Sequence, residues 1–242
     1  MRVIGLDTST ATGGVALLEG ERLVAEYTLS VQRTTHAERL LPALQRVMED
    51  AGWDPAAGVD GVAVAIGPGS FTGLRIGVVT AKALSYAWGA RLVGVPTLDA
   101  MAYQAAVPGA LICPGMDARH GHLFCAAYRM EGEAPAACLG AALRPLDEWV
   151  AHVAALAAGG ESPVVFVGDG IDQSWDELRR RFGSRALRPP AGLRTLRSGA
   201  VAGLGALRLR QGRADDPAGL APMYLRASEA ERKWQAKHRS PS

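Results

Sequence analysis

Apolar residues in the first third of the chain follow two different patterns, one after the other. Three short apolar runs separated by tight turns come first and predict a β-meander. These runs are residues 2–6, 13–18 and 23–29. Apolar positions then recur every three or four residues, which predicts an amphipathic helix that ends at Gly52. Thr35 and Glu38 have the spacing of a capping box at the start of this helix.

Strands and helices alternate in the next segment. A strand at 61–66 leads into a glycine-rich turn, and a nearly continuous apolar stretch predicts a helix over 71–88. A short strand at 92–95 stops at Pro96, and another helix ends near Ala106. The order β-β-β-α-β-α-β-α predicts a mixed sheet with helices on its faces.

The second half of the chain has a weaker pattern, which predicts a hairpin, a buried strand and three helices. The hairpin pairs 110–117 with 123–130, the strand is 164–168, and the helices are 147–158, 176–182 and 197–210. We therefore divide the chain into an N-terminal subdomain, a smaller C-terminal subdomain and a mobile charged tail. Their bounds are 1–106, with the returning helix 197–211 joined to it, then 107–226 and 227–242.

The composition of the chain excludes some classes of protein. Apolar residues make up 48% of the 242 residues and the formal net charge is +2, which excludes a strongly basic nucleic-acid binder. No apolar run reaches the roughly 20 residues of a membrane span, and no signal-peptide pattern opens the chain. The three cysteines are odd in number and widely spaced, which is typical of free thiols. We expect a cytoplasmic protein without a membrane partner.

The segment Gly67–Gly77 resembles a phosphate-binding loop but fits none of the known patterns. A Walker A motif needs a Lys after its last glycine, whereas Leu74 follows Gly73 here. The dinucleotide fingerprint fails because its third glycine comes one position late. We therefore assign Gly67 and Gly69 a turn-shaping role.

The helix after this turn carries a stripe of small residues at Gly73, Gly77, Ala81 and Ser85. Such a stripe permits another backbone to approach closely. Its other positions are also mostly apolar, and a helix that is apolar nearly all round is normally covered all round. Another subunit or the second half of the same chain could provide that cover, and the residues leave both alternatives open.

Two further groups are candidates for chemistry. Asp7, Thr8 and Ser9 follow the first strand and either hold a metal–phosphate group or form a turn that shapes the hairpin. His36 stands without a second ligand one helical turn away, so a metal site is not predicted there. No catalytic residue is predicted.

Several segments together resemble the bacterial TsaB (YeaZ) family. The resemblance spans most of the chain, and the Gly67–Gly77 segment is its most specific part. The segments are Gly5-Leu6-Asp7-Thr8-Ser9, His36-Ala37-Glu38-Arg39-Leu40-Leu41-Pro42, Gly67–Gly77, Asp117-Ala118-Arg119 and Pro222-Met223-Tyr224-Leu225-Arg226. The resemblance implies an actin-like ATPase (ASKHA, RNase H-like) fold of two related mixed-sheet domains.

The resemblance also implies a function. It predicts a non-catalytic subunit needed to make N6-threonylcarbamoyladenosine at position 37 of tRNAs that read ANN codons. The implied partners are a catalytic TsaD-type subunit and a TsaE-type ATPase, with a homodimer in isolation and only indirect contact with tRNA. No cofactor is expected on this chain, because the ATP and metal belong to the partner subunits. Asp7, Thr8 and Ser9 would be a vestigial phosphate loop.

The family's interface maps onto the first two predicted helices. The residues expected to contact the partner or a second copy are His36, Leu40, Leu44, Phe71, Gly73, Leu74, Gly77, Val78 and Ala81. The rival hypothesis is an ATP-dependent kinase or ATPase of the same fold, in which Asp7, Thr8 and Ser9 would bind Mg-phosphate.

Overall fold

The computed structural model describes residues 1–30, 36–158 and 160–226 of the chain. The predicted N-cap Thr35 and the tail 227–242 lie outside the described residues. Within these ranges the strands are β1 Arg2–Asp7, β2 Thr12–Glu19, β3 Arg22–Ser30, β4 Gly61–Gly67, β5 Arg91–Pro96, β6 Leu111–Asp117, β7 His122–Glu131, β8 Ala134–Pro145, β9 Val164–Val167 and β10 Ala186–Leu187. The α-helices are α1 His36–Asp50, α2 Phe71–Trp88, α3 Thr97–Gln104, α4 Leu146–Leu156, α5 Asp169–Asp172, α6 Trp175–Phe182 and α7 Ser198–Arg210.

The first sheet has the strand order β3-β2-β1-β4-β5. Its three meander strands pair antiparallel, whereas β4 and β5 run parallel to β1. Alternate residues of each strand point to opposite faces, so the sheet has two apolar sides. Helices α1 and α2 cover the side that carries Ile4 and Val64, and α7 covers the side that carries Val3 and Ala63.

The second sheet repeats the arrangement of the first. Its order is β10-β9-β6-β7-β8, with β6, β7 and β8 antiparallel and β9 and β10 parallel to β6. Helix α4 packs on one side of this sheet and α3 on the other. Helix α3 also contacts α7, so a shared apolar core joins the two domains. The predicted two related mixed-sheet domains are confirmed.

Strands β8 and β10 and the single-turn helix α5 are not predicted by the sequence pattern. Strand β8 is rich in alanine and has prolines near both ends, and these residue types have low strand propensity. It forms because β7 offers hydrogen-bonding partners along its whole length. Strand β10 contains only two residues, too few for a periodic pattern.

The described helices include none that is long and apolar enough to cross a membrane. Helix α2 is the longest of them at 18 residues, and it carries Arg75 and Lys82. It packs on β4 and β5 of the first sheet.

Candidate partner surface and interdomain cleft

Local capping interactions explain where α2 begins and ends. Ser70 is the N-cap, and its hydroxyl accepts a hydrogen bond from the amide of Gly73 at 3.2 Å. Gly89 ends the helix in the left-handed conformation with φ of 62°. The amide of Ser70 donates to the carbonyl oxygen of Ser9 at 2.7 Å, which ties the start of α2 to the turn after β1.

The small-residue stripe of α2 faces the interior of its own domain. Gly73, Gly77, Ala81 and Ser85 are all buried. The hydroxyl of Thr8 donates to the carbonyl oxygen of Gly73 at 2.7 Å, and a Cβ at Gly77 would collide with that hydroxyl. The chain's own β1–β2 turn is therefore what approaches the stripe closely.

Burial limits which residues of the interface expected from the sequence are accessible on the subunit. Most of the expected residues are buried within the subunit and are not accessible on its surface: Leu40, Leu44, Gly73, Leu74, Gly77, Val78 and Ala81. Phe71 is partly exposed, and the side chain of His36 lies outside the described residues. A stripe of small residues shows that something packs closely, but it does not show whether the neighbour belongs to the same chain.

The outward face of α2 carries the two most exposed large apolar side chains among the described residues. Tyr86 is 91% exposed and Val79 is 65% exposed, with the exposed Ala83 between them. Ile76, one turn before Val79, is partly buried against the core. Leu41, on the neighbouring helix α1, is 52% exposed. We call the four residues on α2 the α2 surface. Their spacing on α2 (76, 79, 83, 86) is helical, so the sequence carried this signal beside the small-residue stripe.

A cleft of about 590 Å³ lies between the two domains. The turns that follow β1 and β4 form one wall, and the turns that follow β6 and β9 form the other. The lining residues are Ser9, Thr10, Ala11, Gly69, Ser70, Phe71, Thr72, Met116, Asp117, Ala118, Arg119, Phe124, Asp169 and Arg226.

The predicted phosphate loop, residues 7–9, forms a hydrogen-bonded turn in the structure. Asp7, Thr8 and Ser9 are all buried, and Oδ1 of Asp7 accepts bonds from the amide and the hydroxyl of Ser9 at 2.8 and 2.6 Å. This is the turn alternative considered from the sequence. The turn-shaping glycines lie against neighbouring backbone: a Cβ at Gly69 would collide with the Ser9 carbonyl, and one at Gly67 with the Met223 carbonyl.

The opposite wall of the cleft carries Asp169, a carboxylate whose pKa is shifted by its surroundings. Oδ1 of Asp169 accepts a hydrogen bond from the amide of Asp117 at 3.1 Å. Burial raises the pKa of Asp169, the amide bond opposes this shift, and the charge of Asp117 adds to it. Arg119 and Arg226 supply positive charge to the same cleft. Among the described residues, no group of three or more His, Cys, Asp or Glu is placed to hold a metal ion.

Comparison with known proteins identifies the family. A family model described as TsaD, tRNA N6-adenosine threonylcarbamoyltransferase, matches residues 24–234. The tRNA threonylcarbamoyladenosine biosynthesis protein TsaB of Bacillus subtilis (strain 168) is 30% identical over 234 residues, which cover 97% of this chain and 98% of the relative. The chain belongs to the TsaB family.

Solved structures of other proteins resemble the structure of this TsaB-family chain. YeaZ from Pseudomonas aeruginosa matches with a TM-score of 0.74 and 24% identity over 93% of this chain and 99% of that one. The ROK hexokinase from Thermus thermophilus matches with a TM-score of 0.53 and 14% identity over 86% of this chain and all (100%) of that one. At these identities the likeness concerns the fold alone, and it confirms the predicted actin-like ATPase architecture.

Proposed function

We propose that this TsaB-family protein is a non-catalytic subunit in the biosynthesis of threonylcarbamoyladenosine at position 37 of ANN-reading tRNAs. It acts by binding a catalytic TsaD-type subunit, and a TsaE-type ATPase joins the pair. In isolation it forms a homodimer through the same surface. Contact with tRNA is indirect, and ATP and metal are held by the partners. Family membership supports the pathway, and the α2 surface supports the mode of action.

The exposed outward face of α2 is the observation that carries this proposal. An apolar helix face is normally buried, and water contact at Val79 and Tyr86 is unfavourable until a partner covers them. Tyrosine and arginine are enriched among residues that dominate binding energy, and Tyr86 and Arg75 are both exposed on α2. A partner that covers this face would bury the apolar residues at its centre.

In vitro reconstitution of the tRNA modification tests the proposal. Product formation should need this chain together with the TsaD-type and TsaE-type subunits, and Tyr86→Asp should abolish that stimulation. Val107→Asp is a matched control, because Val107 is 37% exposed on the turn after α3 and lies outside the α2 surface. Full stimulation by Tyr86→Asp would contradict the proposed surface.

The interdomain cleft favours a second candidate function, an ATP-dependent kinase or ATPase. Its volume of about 590 Å³ suits a small molecule, and Ser9, Ser70 and Asp117 line it. Against this candidate, the carboxylate of Asp7 is buried and bonded to Ser9. Calorimetry of the purified chain with Mg-ATP separates the two functions, because micromolar binding or hydrolysis would favour the kinase.

A further inference from the structure

The C-terminal end of the described chain crosses from one domain to the other. Leu220 packs into the core of the first domain beside Ile66, and the amide of Met223 donates to the carbonyl oxygen of Ile66 at 2.7 Å. The carbonyl of Met223 occupies the space that a Cβ at Gly67 would need. We call residues 220–226 the C-terminal clasp.

The middle of the clasp holds the first turn of α2. The ring of Tyr224 stacks on Phe71 with centroids 4.6 Å apart and planes 27° apart. The guanidinium of Arg75 lies 4.0 Å from the centre of the Phe71 ring, and its Nε donates to the hydroxyl of Tyr224 at 3.1 Å. Tyr224, Phe71 and Arg75 thus form one interlocked group.

The last residue of the clasp contacts the second domain. Nη1 of Arg226 donates to the carbonyl oxygen of Ala118 at 2.7 Å, in the turn between β6 and β7. Ala118 is buried, and its amide donates to the carbonyl of His122, so this turn is internally braced. Arg226 and Ala118 both line the interdomain cleft. A charged donor on a partly buried carbonyl forms one of the stronger kinds of hydrogen bond.

We propose that the C-terminal clasp limits the separation of the two domains across the interdomain cleft and couples this restraint to the α2 surface. Arg75 belongs to the clasp contact and lies one helical turn before Val79, so the clasp fixes the end of the helix on which a partner would dock. When Arg226 releases Ala118, the domains separate more freely and the first turn of α2 loses its support. This coupling rests on the proposed function of α2 as the partner surface.

Distance measurements between spin labels test the restraint. Labels at Ala11→Cys and Asp147→Cys report across the cleft, because Ala11 lines its first wall and α4 begins beside the β6–β7 turn. The exposed Cys138 is replaced by serine in this background. Arg226→Ala should raise the ratio of forms with more widely separated domains to the form in this structure about tenfold, since a bond from a charged donor contributes at least that factor.

Further variants decide whether the loss of the clasp contacts causes the change in label distances. Tyr224→Ala should broaden the distances in the same direction as Arg226→Ala. Two controls should give the same label distances as the unaltered protein. One is Arg213→Ala, which changes an exposed arginine before the clasp, and the other is a chain that ends at Arg226. Circular dichroism checks that each variant folds. Distance distributions of Arg226→Ala and Tyr224→Ala that superimpose on the unaltered protein would overturn the clasp.

Calorimetry with the TsaD-type subunit tests the coupling separately from the surface. Arg226→Ala should weaken binding severalfold, whereas Val79→Asp should weaken binding without changing the label distances. If Arg226→Ala opens the cleft but leaves the affinity unchanged, the coupling is wrong and the partner surface stands. If Val79→Asp binds normally, the partner surface is wrong and the distance result still decides the clasp.

Discussion

Gly77→Ala should destabilise the fold, although alanine is the better helix former. The added Cβ would collide with the hydroxyl of Thr8, with a methyl of Val64 3.4 Å away on the other side. Higher helix propensity gains about 1 kcal/mol. Overpacking of a tight core contact costs about 1–3 kcal/mol, and displacing the buried Thr8 hydroxyl from the Gly73 carbonyl costs about 1–3 kcal/mol.

The net effect is a loss of about 1–5 kcal/mol in the free energy of unfolding. For a chain of this size each kcal/mol corresponds to a fall of about 2–4 °C in melting temperature. Urea and thermal unfolding followed by circular dichroism measure both quantities. Gly140→Ala is a suitable control, because a Cβ at that position would meet no atom within 4 Å beyond Gly140 itself and its two chain neighbours.

Thr8→Ala provides an internal check on the cause. It removes the atom that meets the new Cβ, so Gly77→Ala should cost less in the Thr8→Ala background than in the unaltered protein. A Gly77→Ala protein as stable as the original would refute the inward packing of the stripe. It would mean that the helix face is free, as the interface interpretation of the sequence required.

Two other predictions concern titratable groups. Burial raises the pKa of Cys125 to about 11 and the pKa of Cys113 well above its ordinary value. At pH 8 only the exposed Cys138 should therefore react rapidly with a thiol reagent, whereas all three cysteines should react after unfolding. Rapid reaction of three thiols in the folded protein would contradict this burial. Burial also raises the pKa of Asp99, although its hydrogen bonds to Tyr128 and Arg208 oppose this shift. The stability contributed by this carboxyl is therefore fully present below its unfolded pKa of about 3.9, and it is lost as the pH rises through the folded pKa. The change in unfolding free energy caused by Asp99→Asn should therefore be more favourable at pH 7 than at pH 4, and urea titrations that show no such difference would contradict the raised pKa.

The order of elements in the first domain could be predicted because its patterns are local. The three meander strands, α2 and the strand β5 carry their periodicity and turn residues within a few positions. Strand β8 could not be predicted, because its alanine-rich sequence becomes a strand only through pairing with β7. That pairing is a tertiary interaction without a local pattern.

The residues expected from the sequence to contact a partner on α2 lie mostly on its buried face, whereas the proposed partner surface lies on its exposed face. Glycines at 73 and 77 reveal a close contact, and the partner in that contact turned out to be Thr8 of the same chain. The outward residues Val79 and Tyr86 form an ordinary helical spacing, which gains meaning only when burial shows the opposite face to be covered. Tyr224 belonged to a recognisable segment, but its stacking on Phe71 depends on the folded chain.

Binding of the TsaD-type subunit to paired surface variants tests the central claim most directly. Calorimetry should compare Val79→Asp with Val107→Asp, which introduce the same charge at exposed valines inside and outside the α2 surface. We predict at least about tenfold weaker binding for Val79→Asp, because a buried charge at the centre of an interface is costly, and unchanged binding for Val107→Asp. Equal affinity of both variants and the unaltered protein would contradict the assignment of α2 as the partner surface.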